Sequence, residues 1–300
     1  MVSSVPRSPH RPPELHGSLF RGSVAVRAGR LTRHQLNSSA WHRLFPDVYA
    51  CASLAVTHQL RTRAVTGLLV PGAIASGRSS AVLWGIDLAG PDDDVECAVP
   101  AGTRAGAVAG VRLTRRPVGP AEVVQRDGIP STAPLRTALD FARIRPLEEA
   151  VVCLDQFLQP GLVFLDEVPV PAATGTGRDC RRVRAVAALA DGLAESPQET
   201  RLRLLLHDSD LPRPVAQYSV RSGGIFLART DFAWPDHKLA LEYEGRWHGL
   251  SQQVGPDRRR LNRLTSAGWR VLFVTAEDLR EPARLHVRIR AALADPARCA

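Results

Sequence analysis

The run Leu239-Ala-Leu-Glu242-Tyr-Glu244-Gly245 constrains this chain more than any other. Its apolar start suits a buried central strand. On such a strand Glu242 and Glu244, two positions apart, point to the same face. Two like charges there are destabilising unless a counter-charge stands beside them. Just upstream, the run Ile225 to Trp234 carries Asp231 near its end, and Pro235-Asp236-His237 turns the chain back. On paired strands these acids lie at adjacent strand ends. A divalent cation supplies the missing positive charge, and an arginine could as well. A hard cation with a held water is the usual means of cleaving a phosphodiester, so a nuclease-type reading follows for the C-terminal third.

The flanking pattern extends the argument. Ser196-Pro197-Gln198-Glu199 opens a helix with a cap, a proline in the first turn and an acid three residues after the cap, which is a capping box. Glu199 is therefore either a cap alone or a cap beside the acid site. Val215 to Val220 is a strand, Ser222-Gly223-Gly224 a turn, and Ile225 to Trp234 the returning strand. Gly245 permits a sharp exit after Glu244. His248, four residues past Glu244, is a candidate proton handler or an ordinary packing residue. After Gly255-Pro256 a helix sets Leu261, Leu264 and Thr265 toward a core and Arg259, Arg260 and Arg263 on the other side. Arg270 to Val274 is a fourth strand, Thr275 caps a short helix, and Pro282 to Leu293 is the closing helix.

Residues 17–55 read as a small helical unit ending in a hairpin. Thr32 caps a short helix with Gln35 and Leu36, and Trp41 to Ala50 is β-prone about Pro46-Asp47. These are the parts of a winged helix, with Arg33 and Arg43 as candidate phosphate contacts. From 56 to 168 the pattern gives helices over Leu60–Leu69, Ser76–Gly85 and Glu148–Leu158, and strands over Val95–Val99 and Val111–Thr114. Ile129 to Ala133 reads as a loop before a capped helix, and Arg136 with Asp140 as a packing pair. Pro- and Gly-rich residues 169–178 form a linker, and residues 1–16 a disordered, proline-rich tail without an apolar leader.

The formal net charge of +9 favours an anionic partner, nucleic acid first. Lys238 is the only lysine, so the excess is almost wholly arginine. That skew suits phosphate binding and equally suits high-GC codon usage. The five cysteines are scattered without a CxxC pair, so no zinc is expected, and a reducing, cytoplasmic setting is. No apolar run approaches the ~18 residues a membrane span needs.

Several motifs together resemble a known family. Ser196-Pro-x-Glu199, Thr230-Asp231-Phe-Ala-Trp, Leu241-Glu242-Tyr-Glu244-Gly245-Arg-x-His248, Asp257-x-x-Arg260 and Gly268-Trp-Arg-Val-Leu272 are similar to the DUF559 family. That family is related to the very-short-patch-repair mismatch endonucleases of the PD-(D/E)xK fold. The resemblance covers about residues 196–295. It implies a mixed sheet flanked by helices, with Mg²⁺ or Mn²⁺ on Asp231 and Glu242 and support from Glu199 and Glu244. Glu244 stands where the fold usually carries lysine and related chains commonly carry aspartate. The zinc ligands of the repair enzymes are absent, so mismatch specificity is not carried over. Residues 17–145 are similar to AbiEi-type antitoxins, through Leu31-Thr-x-x-Gln35-Leu36, Trp41-x-Arg43-Leu44-Phe45-x-x-Val48-Tyr49, Ser76-Gly-x-Ser79 and Ser131-Thr-x-x-x-Arg136-Thr137-x-Leu139-Asp140. This implies DNA binding and a possible toxin-like protein partner.

The expectation is a multi-domain α+β protein: a winged helix (17–55), an α/β domain (56–168), a linker (169–178) and an endonuclease-like domain (179–300). Its candidate catalytic residues are Glu199, Asp231, Glu242, Glu244 and His248. Its candidate DNA contacts are Arg33, Arg43, Arg246, Arg259, Arg260 and Arg263. The alternative is a non-catalytic, antitoxin-like transcriptional regulator with a degenerate nuclease fold.

Overall fold

The computed structural model describes residues 9–144, 146–168, 178–245 and 254–295. The protein is mixed α/β, with three sheets divided between two compact units, Met1–Asp140 and Phe141–Ala300. Among the described residues no helix is long and apolar enough to cross a membrane.

The first unit begins with a 3-10 turn (Pro13–Leu15), whose Leu15 packs in the core although residues 1–16 were expected as a disordered tail. It continues with β1 (Leu19–Arg21), α1 (Gly22–Arg27), a 3-10 turn (Gln35–Asn37), β2 (Trp41–Phe45) and β3 (Val48–Cys51). The strands form an antiparallel sheet in the order β1-β3-β2. Thr32 and Gln35 bond reciprocally, backbone N–H to side-chain oxygen, at 2.7 and 3.2 Å, which fixes the 3-10 turn. Asp47 takes a left-handed conformation (φ 60°) at the hairpin and accepts from the Ser23 N–H at 2.6 Å, tying the turn to α1. Phe20, Trp41 and Tyr49 pack ring on ring beneath it.

Beyond this lie α2 (His58–Ala64), β4 (Ile74–Ala75), α3 (Gly77–Leu83), β5 (Val95–Val99), β6 (Val111–Arg115), β7 (Val123–Arg126), β8 (Ile129–Thr132) and α4 (Pro134–Phe141). The sheet order is β6-β5-β4-β8-β7. Residues 129–132, expected as loop, are a strand. Pro130 has no N–H to give a ladder, but β8 meets β4 only at the Ala75–Ser131 pair, so none is needed on that side. Buried hydroxyls of Ser80, Ser131, Thr132 and Thr137 bond one another at 2.7–3.0 Å. Asp140 accepts from Arg116 twice at 2.5 Å and from Arg136 at 3.3 Å, so this pair is architectural, as its spacing suggests.

The second unit contains α5 (Leu147–Leu158), α6 (Arg178–Leu189), α7 (Pro197–His207), β9 (Val215–Ser222), β10 (Ile225–Trp234), β11 (Leu239–Tyr243), α8 (Val254–Ser266), β12 (Arg270–Val274), α9 (Ala276–Arg280) and α10 (Pro282–Ala294). The sheet order is β12-β11-β10-β9. The first three strands in sequence are antiparallel neighbours, and β12 returns parallel to β11 after α8. Leu202, Leu206, Leu285 and Ile289 of α7 and α10 pack with Phe232, Trp234 and Leu241 on one face. Leu264 of α8 packs with Val220, Ala228, Ala233 and Ala240 on the other. Thr265, expected in the buried stripe, is exposed, and Leu261 only half-buried.

Helix α5, placed by sequence with the middle domain, belongs to this unit. Its Asp155 is fully buried. The carboxylate accepts from Thr200 Oγ1 at 2.9 Å, Arg203 Nη2 at 2.8 Å and the N–H groups of Asp191 and Gly192, both at 3.0 Å. These bonds join α5, α7 and the segment that precedes α7.

Candidate functional site

Periodicity brings three acids of the second unit together. Asp231 on β10 lies one register step beyond the Phe232–Leu241 pair, which puts it opposite Glu242 on β11. Asp231 is two positions from Ala233 and Glu242 two from Ala240, so both share the α8-covered face with those residues. Glu199 reaches the same region from the first turn of α7.

Each acid has different partners. Asp231 is half-buried, and its Oδ2 accepts from the Tyr243 N–H at 2.7 Å. Its carboxyl is pushed above the usual aspartate range, first by burial and then by the charge of Glu242. Glu199 is buried, with its N–H bonded to Ser196 Oγ at 3.2 Å, as the capping pattern requires. Its Oε1 accepts from the Ser196 hydroxyl at 2.8 Å. Its Oε2 accepts from the Glu195 N–H at 2.8 Å and the Gln217 amide at 3.3 Å. It too is raised, by burial and then by Asp231. Glu242 is buried and gripped by Arg260, whose Nη1 and Nη2 donate to its two oxygens at 2.7 and 2.5 Å. Arg260 Nη2 also donates to Arg229 O at 2.8 Å. Of these three carboxylates, Glu242 alone is paired with a guanidinium among the described residues.

Glu244 stands apart. It is exposed, its N–H bonds Val274 O at 2.7 Å, and it lines a separate cleft with Thr275, Glu277, Arg280 and Glu281. Arg246 and His248 lie outside the described residues. Among the described residues no three His, Cys, Asp or Glu side chains are arranged to hold a metal ion. Both oxygens of Glu242 are held by Arg260, so a cation at Glu242 would have to displace that guanidinium.

The arginines also separate. Arg259 and Arg263 are exposed on α8, while Arg260, expected beside them, turns inward to Glu242. The signal was in the helix period: Arg260, Leu264 and Ala267 are i, i+4 and i+7 and share one face. Arg33, between α1 and the 3-10 turn, and Arg43, on β2, are exposed on the first unit. Sequence reasoning also missed Gln217, which stands in β9 at φ 49° with its amide on Glu199. No regular pattern marks that kink.

Comparison with protein-family models finds no match, and none of the solved structures matches. Two proteins of Mycobacterium tuberculosis are similar: uncharacterized protein Rv2248 of strain H37Rv and uncharacterized protein MT2308 of strain CDC 1551. Each is 36% identical over 162 residues, which is 53% of this chain and 60% of the relative. The aligned stretch therefore spans less than two thirds of either relative's length.

Proposed function

We propose that this is a DNA-binding protein whose second unit is an endonuclease-like domain of the PD-(D/E)xK type, as the resemblance to DUF559 implies. One observation carries the reading. In a helix–three-strand–helix–strand unit, burial and a neighbouring carboxylate raise the carboxyls of Glu199, beside Asp231, and of Asp231, beside Glu242, while Arg260 pairs with Glu242. Like charges collected in a half-buried place are a mark of sites under functional constraint. Mg²⁺ or Mn²⁺ would take Asp231 and Glu242 only after Arg260 lets go of Glu242. In the first unit, the short helix, 3-10 turn and β1-β3-β2 sheet support a winged helix with Arg33 and Arg43 toward phosphate.

The bidentate Arg260–Glu242 pair favours a second reading, a regulator that binds DNA with a closed acid site and does not cut it. One experiment separates the two. Purified protein is incubated with supercoiled, linear and single-stranded DNA in Mg²⁺, Mn²⁺ or EDTA, beside Asp231→Ala and Glu242→Ala. Metal-dependent cleavage by the wild type alone, with DNA still retarded by the variants, supports the endonuclease. Retardation without cleavage moves the assignment to the regulator, and neither retardation nor cleavage defeats both.

A further inference from the structure

The β9–β10 hairpin carries an exposure that the acid site does not explain. Its turn, Ser222-Gly223-Gly224, is tight, with both glycines left-handed at φ 56° and 82°. Directly after it stand Ile225 and Phe226, 69% and 50% exposed. The β9–β10 register then shifts between Phe226 and Ala228. Leu227 packs with the α8-side core, while the two residues before it stay in solvent. A β-bulge of this sort re-aims the side chains beside it.

The charge around this tip has one sign. From Leu211 to Thr230 the sequence holds Arg213, Arg221 and Arg229 and no Asp or Glu. Arg229 pairs with Glu195, and Arg213 Nη1 donates to His207 O at 2.7 Å. Arg221, next to the turn, has a side-chain bond to the Gly224 carbonyl at 3.2 Å and to no acid among the described residues. The α8 helix packs over Val220 and Ala228 of the same hairpin and exposes Arg259 and Arg263. An apolar tip between arginines fits a polyanion that offers an apolar slot, and duplex DNA does so between its base pairs. Two exposed side chains fall far short of the ~1,000 Å² expected of a stable protein interface. The kink at Gln217 and the bulge on β10 also spoil the hairpin for edge-to-edge pairing with a second copy.

We infer that the β9–β10 turn is a DNA wedge, in which Ile225 and Phe226 enter the minor groove and part a base step while Arg221 holds a flanking phosphate. This rests on the DNA-binding reading above. Six residues along β10 separate Ile225 from Asp231, roughly 20 Å at about 3.3 Å per residue. The wedge therefore touches the duplex about half a helical turn from the acid site, and it distorts the DNA without taking part in any bond cleavage.

The test uses the full chain and a duplex with 2-aminopurine in one strand and fluorophores at its ends. The wild type and an Ile225→Ser, Phe226→Ser double variant are compared in EDTA. Wild-type binding should raise 2-aminopurine emission and shorten the end-to-end distance. The variant should lose both signals, bind about tenfold more weakly, as loss of base–side-chain contacts predicts, and keep its thermal midpoint. Equal binding, emission and bending by both proteins overturns the wedge and leaves DNA binding standing. No duplex binding by the wild type overturns wedge and DNA reading together. A wild-type dimer that the double variant makes monomeric overturns the wedge in favour of a self-interface.

Discussion

Two aspartates in the second unit, Asp155 fully buried and Asp231 half-buried, meet opposite fates. Asp155 receives four donors, one of them an arginine, and its carboxylate holds α5 and α7 together. Asp231 receives one backbone N–H and faces Glu242 across the strand pair, with Glu199 beyond it. Both are withdrawn from solvent, Asp155 fully and Asp231 in part, but they differ in satisfaction. A saturated buried charge is a fastener, whereas one left short of partners among like charges strains the fold and is open to a ligand. The first unit has its own fasteners of this kind, where Asp140 and the Ser80 and Thr137 hydroxyls close on partners.

The largest expected effect breaks the fastener. Asp155→Ala leaves Arg203 and Thr200 facing an empty place and should destabilise the second unit by about 3–5 kcal/mol, read by urea unfolding. A loss below about 1 kcal/mol would erase the contrast.

Next is the single counter-charge. Arg260→Gln strands Glu242 and should cost about 2 kcal/mol at neutral pH, after discounting for the arginine's partial exposure. Adding Glu242→Gln should restore most of that loss, since removing both partners leaves no bare charge. A double variant no more stable than the single one would show that Arg260 acts through packing. The Arg260→Gln protein should also gain thermal stability from millimolar Mg²⁺ where the wild type gains little, because the arginine no longer occupies Glu242.

How much of this was legible depended on period. The order of elements from Pro197 to Ala294 followed from alternation, the capping box at Ser196 and Glu199, and the glycine turns. The pairing of Asp231 with Glu242 followed from two strands and one short turn. What escaped was tertiary. Asp155 sits on the apolar stripe of α5, four residues after Val151, and Arg260 sits on that of α8, but a charge on a stripe does not name its partner. Strand β8 was hidden by Pro130, harmless only because β4 is so short. The domain boundary escaped because α5 looks the same wherever it packs. The reach of Glu244 was overestimated: β11 ends at Tyr243, and Glu244 just beyond it is exposed and lines a cleft with Thr275 and Glu277.

The smallest expected effects lie on the surface. Arg259→Ala and Arg263→Ala should each leave the thermal midpoint unchanged. Each should weaken DNA binding uniformly across sequences and lower the salt dependence by about one phosphate contact. Unchanged affinity in both variants would remove α8 from the proposed DNA surface.

The account rests on Asp231 being held charged at the expense of stability, and its substitution tests that most directly. A carboxyl raised above its unfolded value destabilises the fold once it ionises. The penalty is absent below the ordinary aspartate range and grows as pH rises through the raised folded value. Asp231→Asn keeps an oxygen for the Tyr243 N–H and removes the charge. Thermal midpoints of wild type and Asp231→Asn are to be measured at pH 4 and pH 8. The account predicts near-equal midpoints at pH 4 and a more stable variant at pH 8. A variant less stable than the wild type at pH 8 would mean that Asp231, like Asp155, is a fastener.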